Sequence, residues 1–137
     1  MKRTNSNIFY YCSVILFVIS LTQNAFFTDK NNTCVGYLAL IFGFYVVFDT
    51  GISWIANLCI ILSWAYRHKK ISIYFSLLAL ILGISFLFID KITTGTNNIY
   101  RKITGYGLGY YLWTLSFVFM FYRNLLNYKK VFNPKNS

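Results

Sequence analysis

The chain has 137 residues, 57% of them hydrophobic and 21% aromatic, and only 12% are charged, against about 25% in soluble domains. That balance argues against a water-soluble domain, and the length allows one domain at most. The formal charge of +10 comes from 13 Lys and Arg against Asp29, Asp49 and Asp90. These cations lie in short clusters between apolar blocks, which points to anionic lipid headgroups rather than to nucleic acid.

The apolar residues form four blocks. The first, residues 8–27, follows Lys2 and Arg3 and is closed by Thr28-Asp29-Lys30-Asn31-Asn32-Thr33. About 20 residues at 1.5 Å each span the roughly 30 Å hydrocarbon core. An export signal shares the charged start and apolar run, but Thr22-Gln23-Asn24-Ala25 lacks a small-x-small cleavage pattern, so a retained helix is expected. The second block, residues 35–66, is too long for one upright crossing. Counting back from Arg67-His68-Lys69-Lys70 places the crossing at residues 46–66, with residues 35–45 as an apolar lead-in along the interface or dipping into the bundle. A single long tilted helix with Asp49 at mid-depth is the alternative. The third block, residues 71–89, lies between Lys70 and Asp90-Lys91, and residues 90–104 read as a polar loop. The fourth block covers residues 105–122, and residues 123–137 form a polar tail holding the sole proline, Pro134.

The expected fold is therefore all-α, an integral membrane four-helix bundle in the cell inner membrane. Nine Lys and Arg fall on the side of the termini and the 67–70 loop and four on the other, which puts both termini in the cytoplasm. Trp64, Arg67, Lys69, Lys70 and Arg123 are expected as anchors at the inner interface, and Tyr106, Tyr110 and Tyr111 as an outer aromatic belt.

Asp49, Ser53 and Asn57, spaced i, i+4 and i+8, put a polar stripe on one helical face. A protonatable Asp49 in such a stripe is the signature of an ion route. The alternative, which we favour, is that Ser53 and Asn57 bond neighbouring helices at about 0.6 kcal/mol each while Asp49 is solvated at the outer surface. Ser72, Ser76, Ala79 and Gly83 line one face of the third helix, and Gly105 and Gly109 make a GxxxG pair at the head of the fourth. Small residues at these spacings bring helices close together. The run Gly105-Tyr106-Gly107-Leu108-Gly109 lacks the GxGxxG spacing of a nucleotide loop.

Chemistry-bearing clusters are sparse. His68 stands in the basic loop without the His, Cys or carboxylate partners that a metal ligand needs, and Cys12, Cys34 and Cys59 have no CxxC spacing. No metal, cofactor or catalytic residue is expected. Asn31-Asn32-Thr33 is a formal glycosylation sequon.

The stretch Gly51-Ile52-Ser53-Trp54-Ile55-Ala56-Asn57, the small-residue third helix and Gly109-Tyr110-Tyr111-Leu112-Trp113 together resemble a pattern in small bacterial inner-membrane proteins. The resemblance covers residues 36–122, and Leu58 stands where that pattern often has a proline. It implies a four-helix architecture and a bacterial source, and carries no activity. The function expected is non-catalytic: contact with a membrane-protein partner or a second copy through helices or the outer loop, an immunity-type protein being one version. An oligomeric small transporter or channel subunit built on the Asp49 stripe is the rival, and a membrane enzyme ranks third.

Overall fold

A computed structural model of the protein describes residues 2–29, 32–46, 51–94 and 99–132. Helix α1, Lys2–Thr22, leads into strand β1, Asn24–Thr28, and strand β2, Asn32–Val35. A short helix α2, Gly36–Phe42, runs on into a 3-10 turn at Gly43–Val46. A second 3-10 turn, Ile52–Trp54, opens helix α3, Ile55–Ala65. Helix α4, Ile71–Ser85, ends in a 3-10 turn at Phe86–Phe88. Strands β3, Lys91–Thr94, and β4, Ile99–Tyr106, precede the long helix α5, Leu108–Phe132.

The expectation of an all-α integral membrane four-helix bundle is overturned. The strands form one antiparallel sheet in the order β2-β1-β4-β3. Among the described residues, only Ile71–Phe88 is long and apolar enough to cross a membrane, with a mean hydropathy of 2.4. Ser6–Thr22, Gly36–Tyr45 and Ile52–Ala65 are shorter apolar helices.

Several expected boundaries move for the same reason. Residues 24–27, assigned above to the first helix, leave it because Phe26 and Phe27 pair with Cys34 and Thr33 on one side and with Tyr106 and Gly105 on the other. A short apolar aromatic run suits a buried strand as well as a helix, so hydropathy alone does not separate them. Within the expected loop at residues 90–104, Lys91–Thr94 and residues 99–104 are paired antiparallel strands, with Ile92 opposite Arg101 and Lys91 opposite Lys102. Gly105 is consequently a strand residue and makes no helical pair with Gly109. The Gly107 N–H donates to the Ala25 carbonyl at 2.8 Å, turning the chain into α5. That helix then continues through residues 123–132, which were expected in the polar tail.

Helix α1 packs along α5, and α4 packs against both α3 and α5. The apolar core contains Phe17, Ala56, Ile60, Ala79, Phe117 and Met120. Around it the usual distribution of polarity is inverted: among the described residues, twelve buried side chains are polar or charged and nine are apolar. On α1 the buried serines Ser6, Ser13 and Ser20 recur every seven residues, while Ile8, Tyr11, Ile15 and Val18 face outward. On α4 the buried residues are Ser72, Ser76, Ala79 and Gly83, and Tyr74, Leu77, Leu78 and Ile81 are exposed. A Cβ added at Gly83 would sit 3.0 Å from the Phe117 ring, so the glycine sets how closely α4 meets α5.

Candidate functional site

The start of α1, the turn between α3 and α4, and the second half of α5 meet at one end, and the sheet lies at the other. The end away from the sheet holds an open cleft of about 570 Å³. Its walls carry Arg67, His68, Lys69, Lys70 and Arg123, with Ser6 and Asn127 among the neutral polar residues, and no acidic side chain is among the described residues that line it.

Arg123 is the centre of this site. It is 3% exposed, because α5 carries it past the end of the apolar block and inward beneath the α3–α4 turn. Its Nη1 donates to the Arg67 carbonyl at 2.6 Å and to Asn124 Oδ1 at 3.1 Å. The first bond satisfies one of the carbonyls left over beyond the C-terminus of α3, where a cation also meets the negative end of the helix dipole. Its Nε is buried and has no hydrogen-bond partner. The Arg67 guanidinium lies 4.5 Å from the Tyr10 ring centroid and that of Arg123 6.0 Å from the same ring. Two like charges thus converge on one aromatic ring. Arg67 Nε also donates to His68 Nε2 at 3.0 Å, and the Lys69 ammonium stands 5.1 Å over the Tyr66 ring.

Asn124 ties the floor of the cavity to α3 and α4. Its Nδ2 lies 3.2 Å from Ser63 Oγ, 2.9 Å from Ser72 Oγ and 3.0 Å from Ser76 Oγ. The Ser72 hydroxyl donates to the Ser63 carbonyl at 2.8 Å, which bridges α3 and α4 directly. Ser6 Oγ donates to Asn127 Oδ1 at 2.9 Å and joins α1 to α5. Buried polar groups must be bonded to avoid a desolvation penalty, and here they bond mainly to one another.

The other sequence-derived residues are placed as follows. Asp49 lies outside the described residues. Ser53 is in the 3-10 turn before α3 rather than in an α-helix, and its Oγ is 3.2 Å from Ser85 Oγ on α4. Asn57 is buried and accepts from Trp113 Nε1 at 2.8 Å, across to α5. Gly109 lies where a Cβ would stand 2.9 Å from the carbonyl oxygens of both Gln23 and Asn24.

Of the expected interface anchors, Trp64 is half-buried and Arg123 is buried. Trp64 donates from Nε1 to Ser13 Oγ at 3.1 Å and meets the Phe17 ring edge-on, so it joins α3 to α1. Arg123 is buried, as described. Lys69 and Lys70 are exposed at the cavity mouth, and Arg67 is half-buried. Of the expected outer belt only Tyr111 is exposed: Tyr110 is buried and donates to the Gly83 carbonyl at 2.9 Å, and Tyr106 donates to the Phe86 carbonyl at 3.0 Å. Burial, with smaller contributions from Asp90 and Tyr111, holds the Tyr106 phenol above its ordinary pKa, in keeping with a hydroxyl that must donate.

Sequence reasoning missed Asn124, Ser63 and the Ser6, Ser13, Ser20 series. The seven-residue serine spacing was a readable signal; the burial of Asn124 was not, because a residue beside Arg123 at the end of an apolar block reads as solvated. No protein-family model matches the chain, and no curated protein or solved structure matches it.

Proposed function

We propose that the chain is a membrane-embedded, non-catalytic protein of the plasma membrane, with its basic end toward the cytoplasm and its sheet on the opposite side. Ile71–Phe88 crosses the hydrocarbon. The protein works by contact with a membrane partner.

The inversion of polarity carries this reading. In water, contiguous exposed apolar patches rarely exceed a few hundred Å², whereas here the exposed large hydrophobic side chains on α1, α4 and α5 include Ile8, Ile15 and Val18, Leu77, Leu78 and Ile81, and Leu108, Leu115 and Val118. The Ile71–Phe88 stretch is only 22% buried, and a helix of that hydropathy in a soluble core would be mostly covered. Acyl chains solvate such faces without penalty, and small polar residues between helices are the packing units that a lipid environment favours. A binding role is favoured over transport because Ser53 and Asn57 are each engaged by a neighbouring helix.

The test is extraction of membranes that contain the full chain. The expected result is retention in the pellet after alkaline carbonate and release by detergent alone. A monodisperse chain in the detergent-free supernatant after ultracentrifugation overturns the reading.

A further inference from the structure

We propose that α2 and the 3-10 turn that follows it lie along the headgroup–acyl boundary of the bilayer leaflet beside the sheet, with phospholipid as the partner of their uncovered face. The inference rests on the membrane reading above, because it takes the end of the Ile71–Phe88 crossing as its reference level.

Residues 36–46 contain no charged side chain, and α2 has no buried residue. Tyr37, Ile41 and Tyr45, spaced i, i+4 and i+8, are exposed together with Phe42 and Phe44, and Tyr45 reaches 79% exposure. The seven residues of α2 extend for roughly 10 Å at 1.5 Å each, far short of the roughly 30 Å of a hydrocarbon core. The segment therefore cannot cross, and in water its outward face would be an unsolvated apolar patch.

A chain of contacts sets its level. The Gly36 N–H donates to the Gln23 carbonyl at 2.9 Å, which holds the start of α2 at the junction of α1 and β1. Trp54 Nε1 donates to the Leu40 carbonyl at 2.6 Å, and the Trp54 ring meets that of Phe44 edge-on at 5.4 Å. The adjacent Ser53 Oγ lies 3.2 Å from Ser85 Oγ, at the residue before the 3-10 turn that closes the crossing. Ser85, Ser53, Trp54 and Leu40 thus tie α2 to the last turn of the crossing, where hydrocarbon gives way to headgroups.

Continuity around that level commits the face to lipid. Phe88, at the end of the crossing, is 82% exposed, and Leu108 and Tyr111 are exposed where α5 leaves the sheet. Aromatic side chains from separate elements at one depth form the belt expected at a membrane–water boundary. Tyrosine suits it, because the ring enters the acyl region while the hydroxyl stays among the headgroups.

The experiment places the full chain in phosphatidylcholine vesicles that carry one of two photoactivatable phospholipids. One bears its carbene precursor near the glycerol, the other at the acyl terminus, and crosslinked residues are mapped by mass spectrometry. The terminal probe is expected to mark Leu78 and Ile81. The shallow probe is expected to mark Tyr37, Ile41 and Tyr45 several times more often than the terminal one, as befits a face about 5–10 Å into the boundary. If Leu78 and Ile81 are marked and residues 36–45 by neither probe, the inference is overturned and the membrane reading stands. Terminal-probe marking of residues 36–45 equal to that of Ile81 also overturns it, since the segment then lies deep. Absence of marking at Leu78 and Ile81 by both probes overturns the membrane reading and the inference with it.

Discussion

At the sheet end, Asp29 and Asp90 stand among Lys91, Arg101 and Lys102, and the backbone closes on itself: the Asp29 N–H donates to the Lys102 carbonyl and the Ile103 N–H to the Asp90 carbonyl. At the opposite end, Arg67, His68, Lys69, Lys70 and Arg123 surround a cleft whose described lining residues include no acid, and the buried Arg123 Nε has no hydrogen-bond partner among the described residues. Strand pairing satisfies polar groups without outside help. Side chains brought together from three helices do so only through packing, and the difference teaches which end is held by backbone pairing and which by side chains.

The comparison can be broken or sharpened by substitution. The largest effect is expected at the sheet end. Gly109→Ala places a Cβ 2.9 Å from two backbone oxygens of the α1–β1 junction, which cannot swing aside as a side chain would. A loss of about 3 kcal/mol in detergent unfolding is expected, and a neutral result means that the sheet is loosely docked. Asn124→Ala at the cavity end removes the donor shared by Ser63, Ser72 and Ser76. About 2 kcal/mol is expected, and a loss larger than that of Gly109→Ala reverses the ranking of the two ends. Tyr106→Phe should cost about 1 kcal/mol and change the pH response. Because burial raises the folded phenol above its ordinary value of 10.0, its contribution is complete below that pH and is lost as pH climbs through the raised value. The variant should therefore show a shallower alkaline decline in stability. The smallest effect is kinetic. Burial pushes the Cys34 thiol above 9.0, so an impermeant maleimide should label it from outside more slowly than a free thiol at neutral pH, with a rate still rising beyond pH 9.0. Labelling only after permeabilisation reverses the proposed orientation.

Much of this was legible in particular residues. Ser72, Ser76, Ala79 and Gly83 recur at 4-3-4 spacing, and those four are the buried face of α4. The block at residues 71–89 coincides with α4 and its closing turn. The β-hairpin was readable in part, since Ile92-Thr93-Thr94 and Ile103-Thr104 are β-branched residues flanking Gly95. Residues 24–27 were not, because Ala25-Phe26-Phe27 extends an apolar run without changing its period. Trp64 and Arg123 look like headgroup anchors beside their basic neighbours, but Ser13 and the Arg67 carbonyl draw them inward.

Composition and the order of blocks by themselves determined that the chain would carry long apolar helices with its cations gathered at their ends, because hydropathy is a local property that sums along the sequence. Only the tertiary structure decided that β1 lies between β2 and β4, and that Arg67 and Arg123, 56 residues apart, meet over Tyr10. Strand partners and buried cations are chosen by backbone groups and rings from distant segments, and those meet only when the helices pack.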